Sequence, residues 1–226
     1  MSGIQPRLLR PGDPAPDFAL PAVHHEGTVS LADYRGRSAL LLAFFRGVYC
    51  PFCRRQIAKL GLARDKLLAA GVETLAVVAS NLDRTRLYFR YRPTRVPLAA
   101  DPELVSHRAF GVSQILVTPE LAKALETVRT DLDGELPQPL SIGDAANALD
   151  ERDGFEYTET DTREAREHNE QSPLDTGQFL VDRDGIVRWV NLESARGLAG
   201  IGKFPTDAEF LAIVRAHGAE GPSRRP

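Results

Sequence analysis

A chain of 226 residues with 42% apolar side chains is long enough for one large domain, or a domain carrying an insertion, and can build a core without disulfide staples. Its formal net charge of −3 gives no case for general nucleic-acid binding, and no apolar stretch reaches the length of a transmembrane helix. Between Met1 and Phe18, Pro and charged residues interrupt the apolar middle region of a secretory signal, so a reducing, cytoplasmic location is expected.

In chain order, residues 1–16 are rich in Pro and Gly and read as a surface run, with 1–10 a flexible terminus. Residues 17–20 and 28–31 look like short edge strands joined by a turn at His24-His25-Glu26-Gly27. The run Ala39-Leu40-Leu41-Leu42-Ala43-Phe44-Phe45 fits a strand buried on both faces. A helix follows, with Ile57, Leu60, Ala63, Leu67 and Leu68 as its apolar stripe, and stops at Gly71. Residues 72–79 make a second buried strand, which completes a strand–helix–strand unit. Residues 83–91 form a helix ended by Pro93, 96–99 a short strand, and Asp101-Pro102 opens a helix that closes at Gly111. Near the end, strands at 178–181 and 186–190 flank the hairpin signal Asp182-Arg183-Asp184-Gly185. A last amphipathic helix covers 206–216, and 218–226 is the second flexible terminus.

Between 112 and 176 the organisation changes. Residues 116–132 fit a helix with Pro119 in its first turn, and 141–149 hold a second. Residues 150–170 are strongly acidic, with Phe155 and Tyr157 as their few core formers. The segment is too long for a structureless loop and is read as an insertion into a single domain spanning 11–217. Its acidic half has the composition of a mobile lid or partner-facing arm. A solvated excursion without a role is the more usual fate of a charge run, and is the reading favoured here.

Chemistry concentrates in Phe44-Phe45-Arg46-Gly47-Val48-Tyr49-Cys50-Pro51-Phe52-Cys53-Arg54-Arg55, which carries both of the chain's cysteines. Pro51 is preorganised for the first helical position, where its missing N–H costs nothing. Cys50 is then the helix N-cap, its sulfur accepting a free backbone N–H, and the positive end of the helix dipole favours its thiolate. Arg46, Arg54 and Arg55 are the neighbouring cations that stabilise it further. In a reducing compartment a C-x-x-C pair is a redox or metal motif rather than a structural bridge.

Strand, C-P-x-C, helix, strand and the closing hairpin together resemble the thioredoxin-like fold, an α/β architecture with a central mixed sheet flanked by helices, here with an inserted segment. Phe45-Arg46-Gly47-Val48-Tyr49-Cys50-Pro51-Phe52-Cys53-Arg54 closely resembles the aromatic–Arg–Gly–x–aromatic–C-P-x-C signature of peroxiredoxin-like proteins of the alkyl hydroperoxide reductase / thiol-specific antioxidant group. The opening Gly12-Asp13-x-Ala15-Pro16-Asp17-Phe18 and the hairpin from Phe179 to Arg188 support it. By that resemblance Cys53 stands at the peroxide-attacking position and Cys50 replaces a Thr hydroxyl. The Pro expected earlier in the pattern falls on Arg46. The Arg expected before the late strand falls on Thr176, where thioredoxins place a cis proline.

The resemblance implies an oxidoreductase that cycles Cys50 and Cys53 between dithiol and disulfide. In a thioredoxin-type cycle solvent-facing Cys50 attacks a disulfide and the more buried Cys53 resolves it. In a peroxidase cycle Cys53 becomes a sulfenic acid and condenses with Cys50. Disulfide exchange is the preferred elementary step, because groups that preorganise a peroxide are missing. A thiol peroxidase and a non-catalytic partner-binding module are the alternatives. The implied partners are an electron-donor thiol protein or small thiol and a disulfide or hydroperoxide substrate. A homodimer is left open, and no cofactor, metal, nucleic acid or membrane is expected.

Other features weigh less. His24 and His25 read as turn fillers. Zinc on the two cysteines would need ligands from His24, His25, His107, His168 or His217, which are scattered. A glutaredoxin-like iron–sulfur cluster fits the long flanks poorly. Arg84, Arg86, Arg90, Arg92 and Arg95 read as a solvated face rather than a docking patch. Tyr49 is a candidate for shaping a substrate groove, Trp189 is assigned to the core, and Asp33, Glu73 and Asp101 have no assigned role.

Overall fold

A computed structural model describes residues 7–115, 118–169, 173–195, 197 and 203–217. A hairpin of β1 (Ala19–Pro21) and β2 (Thr28–Ser30) leads through a 3-10 turn at Leu31–Asp33 into β3 (Ala39–Phe45). Helix α1 (Pro51–Ala69), β4 (Val72–Val78), α2 (Leu82–Tyr91), β5 (Leu98–Ala100) and α3 (Val105–Ala109) follow. The inserted segment holds α4 (Pro119–Thr127), β6 (Arg129–Thr130), β7 (Leu140–Ser141), α5 (Ile142–Asp153) and α6 (Glu159–Asn169). The chain returns through β8 (Gly177–Val181), β9 (Val187–Leu192) and α7 (Asp207–His217). None of the described helices is long and apolar enough to cross a membrane.

The main sheet has the order β5-β4-β3-β8-β9, parallel from β5 to β3 and antiparallel at β3–β8 and β8–β9. This is the mixed, helix-flanked sheet of the thioredoxin-like fold. Central β3 is buried at every position, which is why it carries no polar side chain. Its alternate residues serve two cores. Leu41, Ala43 and Phe45 face Ile57, Leu60 and Leu67 of α1 and Phe210 of α7. Leu40, Leu42 and Phe44 face Leu31, Phe110 and Phe179. The Phe44 ring lies 5.0 Å from Phe110 and 5.7 Å from Phe179, centroid to centroid. Burial of each such side chain contributes about 1.5–3 kcal/mol, enough to hold the end of β3 rigid where the cysteine loop begins.

Several expectations shift. Leu68 is 42% exposed and leaves the α1 stripe. Leu8 and Leu9, placed in a flexible terminus, pack on the second core; residues 1–6 and 218–226 lie outside the described residues, as do 116 and 117 at the start of the expected long helix. Trp189 is half-buried, edge-on to Phe210.

The acidic stretch is not a solvated excursion. Asp161, Glu164 and His168 are buried on α6. Both Asp161 carboxylate oxygens accept from Arg84 Nε at 2.9 Å. Glu164 accepts from Ser80 Oγ at 2.8 Å and from the Asn81 amide at 2.7 Å, at the N-cap of α2. A carboxylate there is favoured by the helix dipole and by the free amides. The arginine face is likewise partnered: Arg86 donates to the carbonyls of Ala22, Val23 and His25, and Arg92 to that of Asp153. Arg84 and Asp161, read separately as exposed, therefore neutralise each other beneath the insertion, while Arg90, Arg92 and Arg95 keep the exposed face expected of them.

Arg84→Ala should lower unfolding free energy by about 3 kcal/mol in a denaturant titration, because it strands buried Asp161. Arg90→Ala, on the exposed face of α2, should change it by no more than about 0.5 kcal/mol.

Candidate functional site: a dithiol at the start of α1

The loop from β3 to α1 is held by backbone geometry. Phe45 O accepts from the Ala79 amide at 3.1 Å, and the Val48 amide donates to Ser80 Oγ at 3.0 Å. A Cβ on Gly47 would come within 2.3 Å of the Tyr49 ring and 2.4 Å of Ser80 Oγ, so only glycine fits there. Cys50 is the N-cap of α1 with Pro51 in the first turn, and its sulfur accepts from the Cys53 amide at 3.4 Å. Both cysteines are free thiols.

The electrostatics of the two sulfurs diverge. Burial works against the Cys50 thiolate, but the hydrogen bond from Cys53 Sγ, the Arg46 charge and the Cys53 amide overcome it and bring the thiol down to about 7. Burial and the charge gathered on Cys50 push the Cys53 thiol well up. The first proton thus leaves the pair near neutrality and the second only well above it, with the N-cap bond favouring Cys50 as the thiolate.

Arg46, Cys50 and Cys53 share one electrostatic site. Burial opposes the Arg46 charge, yet Glu193 and the two sulfurs keep the guanidinium protonated well beyond the ordinary arginine value. Arg46 donates through Nη2 to Glu193 at 2.6 Å and through Nε to Leu174 O. Arg54 and Arg55 turn elsewhere, against expectation. Arg54 donates to Val48 O at 2.8 Å, pairs with Asp150 and Asp153, and lies 3.9 Å over the Phe155 ring. Arg55 binds Leu132 O at 2.6 Å, Asp133 at 3.0 Å and Glu135 at 2.9 Å. Their guanidiniums anchor the insertion, and Arg54 also braces the loop before Cys50.

Cys50 is 6% exposed and Cys53 1%, so Cys50 is less accessible than a solvent-facing thiol. The insertion reaches over it: Tyr157 Oη donates to Tyr49 O at 3.1 Å and to Asp150 at 2.9 Å. Burial, then the Asp150 carboxylate, pushes the Tyr157 phenol up to about 12. Tyr49 is buried too, its hydroxyl 3.3 Å from His168 Nδ1, and does not wall an open groove. Thr176 is buried just before β8, its carbonyl accepting from the Glu193 amide at 3.1 Å. A cavity of about 420 Å³ lies between Arg46, Phe52 and Glu193 on one side and Leu121, Leu125 and Ile142 on the other.

Sequence reasoning missed Glu193 and Asp175, and placed Asp101 at a helix start without giving it a role. Asp101 caps α3 through the amides of Val105, Ser106 and His107, and His107 Nδ1 lies 2.8 Å from it. His107 Nε2 faces Phe45 O at 3.1 Å, directly behind the cysteine loop. An Asp-Pro at a helix start was a usable signal for that cap. The histidines once weighed as zinc ligands have other neighbours: His24 meets Val96 O, His25 meets Glu26 O, and His168 meets Tyr49.

Arg46→Met should raise the midpoint for alkylation of Cys50 by about one pH unit, since it removes the nearest cation. It should also lower the unfolding free energy, because the buried Glu193 carboxylate loses the guanidinium 2.6 Å away. Rate-versus-pH profiles with a neutral alkylating reagent, followed by mass mapping of the modified cysteine, check the first outcome.

Comparison with known proteins follows the same lines. The chain is similar in structure to the thiol:disulfide interchange protein DsbE of Chlorobium tepidum, described as putative, at 20% identity over 91% of this chain and 99% of that one, with a TM-score of 0.51. Peroxidoxin BcpB of Mycobacterium tuberculosis gives 16% identity over 92% and 97%, with a TM-score of 0.57. Peroxiredoxin Q of Xanthomonas campestris gives 15% over 88% and 90%, at 0.53. At these identities the likeness is one of fold. No curated protein sequence matches the chain. The model of the AhpC/TSA family matches residues 11–136, more than half of the chain and the whole of the cysteine loop, and the protein belongs to that family of thiol redox proteins.

Proposed function

We propose that the protein is a dithiol oxidoreductase in which Cys50 is the attacking thiolate and Cys53 the resolving thiol. The observation that carries this reading is the place of Cys50 at the N-cap of α1, where its sulfur accepts from the Cys53 amide at 3.4 Å; the Arg46 charge favours its thiolate, while burial pushes the Cys53 thiol up. A thiolate is the nucleophile in exchange, and one that titrates near ambient pH combines population with reactivity. Cys50 S⁻ attacks one sulfur of a substrate disulfide, expelling the other as a thiolate and forming a mixed disulfide. Cys53 then loses its proton and attacks Cys50 Sγ, releasing the second substrate thiolate. The substrate gains two electrons, and the Cys50–Cys53 disulfide awaits reduction by a donor dithiol or two small thiols.

Family membership favours a second reading, with a hydroperoxide as oxidant. There a cysteine thiolate takes the terminal oxygen, the alcohol leaves, and condensation of the sulfenic acid with the other thiol releases water. The raised Cys53 thiol weighs against attack from the position that the peroxiredoxin-like pattern assigns to it. In either reading the Cys50 sulfur, 6% exposed, must be uncovered further before the substrate reaches it. Either cycle would serve an antioxidant role, and a reducing, cytoplasmic setting is the one in which the dithiol would be kept available for it.

Single-turnover mixing of the reduced protein with a protein disulfide, and separately with hydrogen peroxide, tests the assignment. Cys53→Ser should accumulate a mixed disulfide on Cys50. Cys50→Ser should react at least about tenfold more slowly at pH 7, because burial keeps the remaining Cys53 thiol protonated there. Peroxide consumption lost only in Cys53→Ser would reverse the roles in favour of the peroxidase.

A further inference from the structure

Glu193 has no part in the cycle just described, yet it is one of the buried carboxylates among the described residues, at 4% exposure. Three backbone contacts fix its place. It follows the last residue of β9, where Leu192 pairs with Gly177 of β8. Gly177 in turn pairs with Phe44 of β3, just before the cysteine loop. The Glu193 amide donates to Thr176 O. Its carboxylate is thereby brought onto Arg46 at 2.6 Å, although 147 residues separate them in sequence.

We propose that Glu193 is a positioning residue for the dithiol: it clamps the Arg46 guanidinium and competes with the Cys50 sulfur for its charge. The inference rests on the assignment of Cys50 as the attacking thiolate. Arg46 is hydrogen-bonded to Glu193 at 2.6 Å and adds its charge to both sulfurs, and burial of the carboxylate and the sulfurs strengthens those interactions relative to water. The other titratable groups around the pair are Cys53 from α1, Asp175 before β8, Tyr49 from the loop and Tyr157 from the insertion. Asp175 is held by the amides of Thr176 and Ser194 and the Ser194 hydroxyl, and faces the same Arg46–Glu193 pair. One cation thus serves Glu193 and, in the reduced protein, a thiolate. Oxidation removes two electrons and the Cys53 proton to form the Cys50–Cys53 disulfide, after which no thiolate competes with Glu193 for Arg46. Glu193 therefore keeps the thiolate, and with it the dithiol, less stable than Arg46 by itself would make it.

Glu193→Gln keeps a hydrogen-bond acceptor for Arg46, which Leu174 O also anchors, and removes the charge. In the reduced protein the Cys50 alkylation midpoint should fall by about one pH unit. The equilibrium with a small-thiol/disulfide buffer at pH 7 should move several-fold toward the dithiol. Glu193→Asp, which keeps the charge, should leave the midpoint at or above the wild-type value. An unchanged or raised midpoint in folded Glu193→Gln, or a fall in both variants, overturns the proposal. If Glu193→Gln does not fold, the side-chain carboxyl ¹³C resonance of Glu193 in the wild-type protein decides. It should shift with the Cys50 titration in the reduced protein and lose that inflection in the disulfide form, and its absence from the reduced protein overturns the proposal. Alkylation and carboxyl shift need no oxidant, so they remain readable even if the turnover assays reject disulfide exchange.

Discussion

The hydrogen bond from the Cys53 amide to the Cys50 sulfur occurs where a helix has unpaired donors to offer and a strand has just delivered the chain into the interior. Its geometry requires that α1 begin at Pro51 and that the four residues before Cys50 turn tightly. Gly47 meets the second requirement by leaving room for the Tyr49 ring and Ser80. The buried run of β3 meets the first by fixing the direction of approach, with Phe44 gripped on one face and Phe45 on the other. Arg46 then brings a cation to the sulfurs from the residue that follows the strand. The reactive asymmetry of the pair arises from these placements together.

The insertion is tied to this site by charge. Arg54 and Arg55 leave the first turns of α1 and bind acids from two parts of the inserted segment, Asp133 and Glu135 near β6 and Asp150 with Asp153 on α5. Arg84 and the start of α2 hold α6 through Asp161 and Glu164. Such pairs contribute little net stability compared with apolar packing of the same volume, but breaking one side is costly. They therefore specify where the insertion sits, and Tyr157 is carried to the carbonyl that precedes Cys50 as a result. The same ties explain the low exposure of a thiol that would otherwise cap an open helix end.

Much of this was legible in residue order. The apolar run of β3, the Pro after Cys50 and the Asp-Gly hairpin are local signals, each fulfilled by its immediate neighbours. Arg54 and Arg55 were misjudged because adjacency in sequence to a cysteine says nothing about the direction of a side chain on a helix turn. Glu193 and Asp175 were invisible for a related reason: only the register of β3, β8 and β9 brings them under Arg46. The acidic segment misled because charge composition is the same for a solvated arm and for one whose acids meet arginines far away in sequence.

The central claim is that the two sulfurs, three residues apart, hold their protons very differently. Ultraviolet absorbance of the thiolate across a pH titration of the reduced wild-type protein measures this directly. The account predicts one thiolate appearing with a midpoint near 7, and the second only well above the ordinary cysteine range. Two thiolates rising together at the ordinary cysteine value would contradict it.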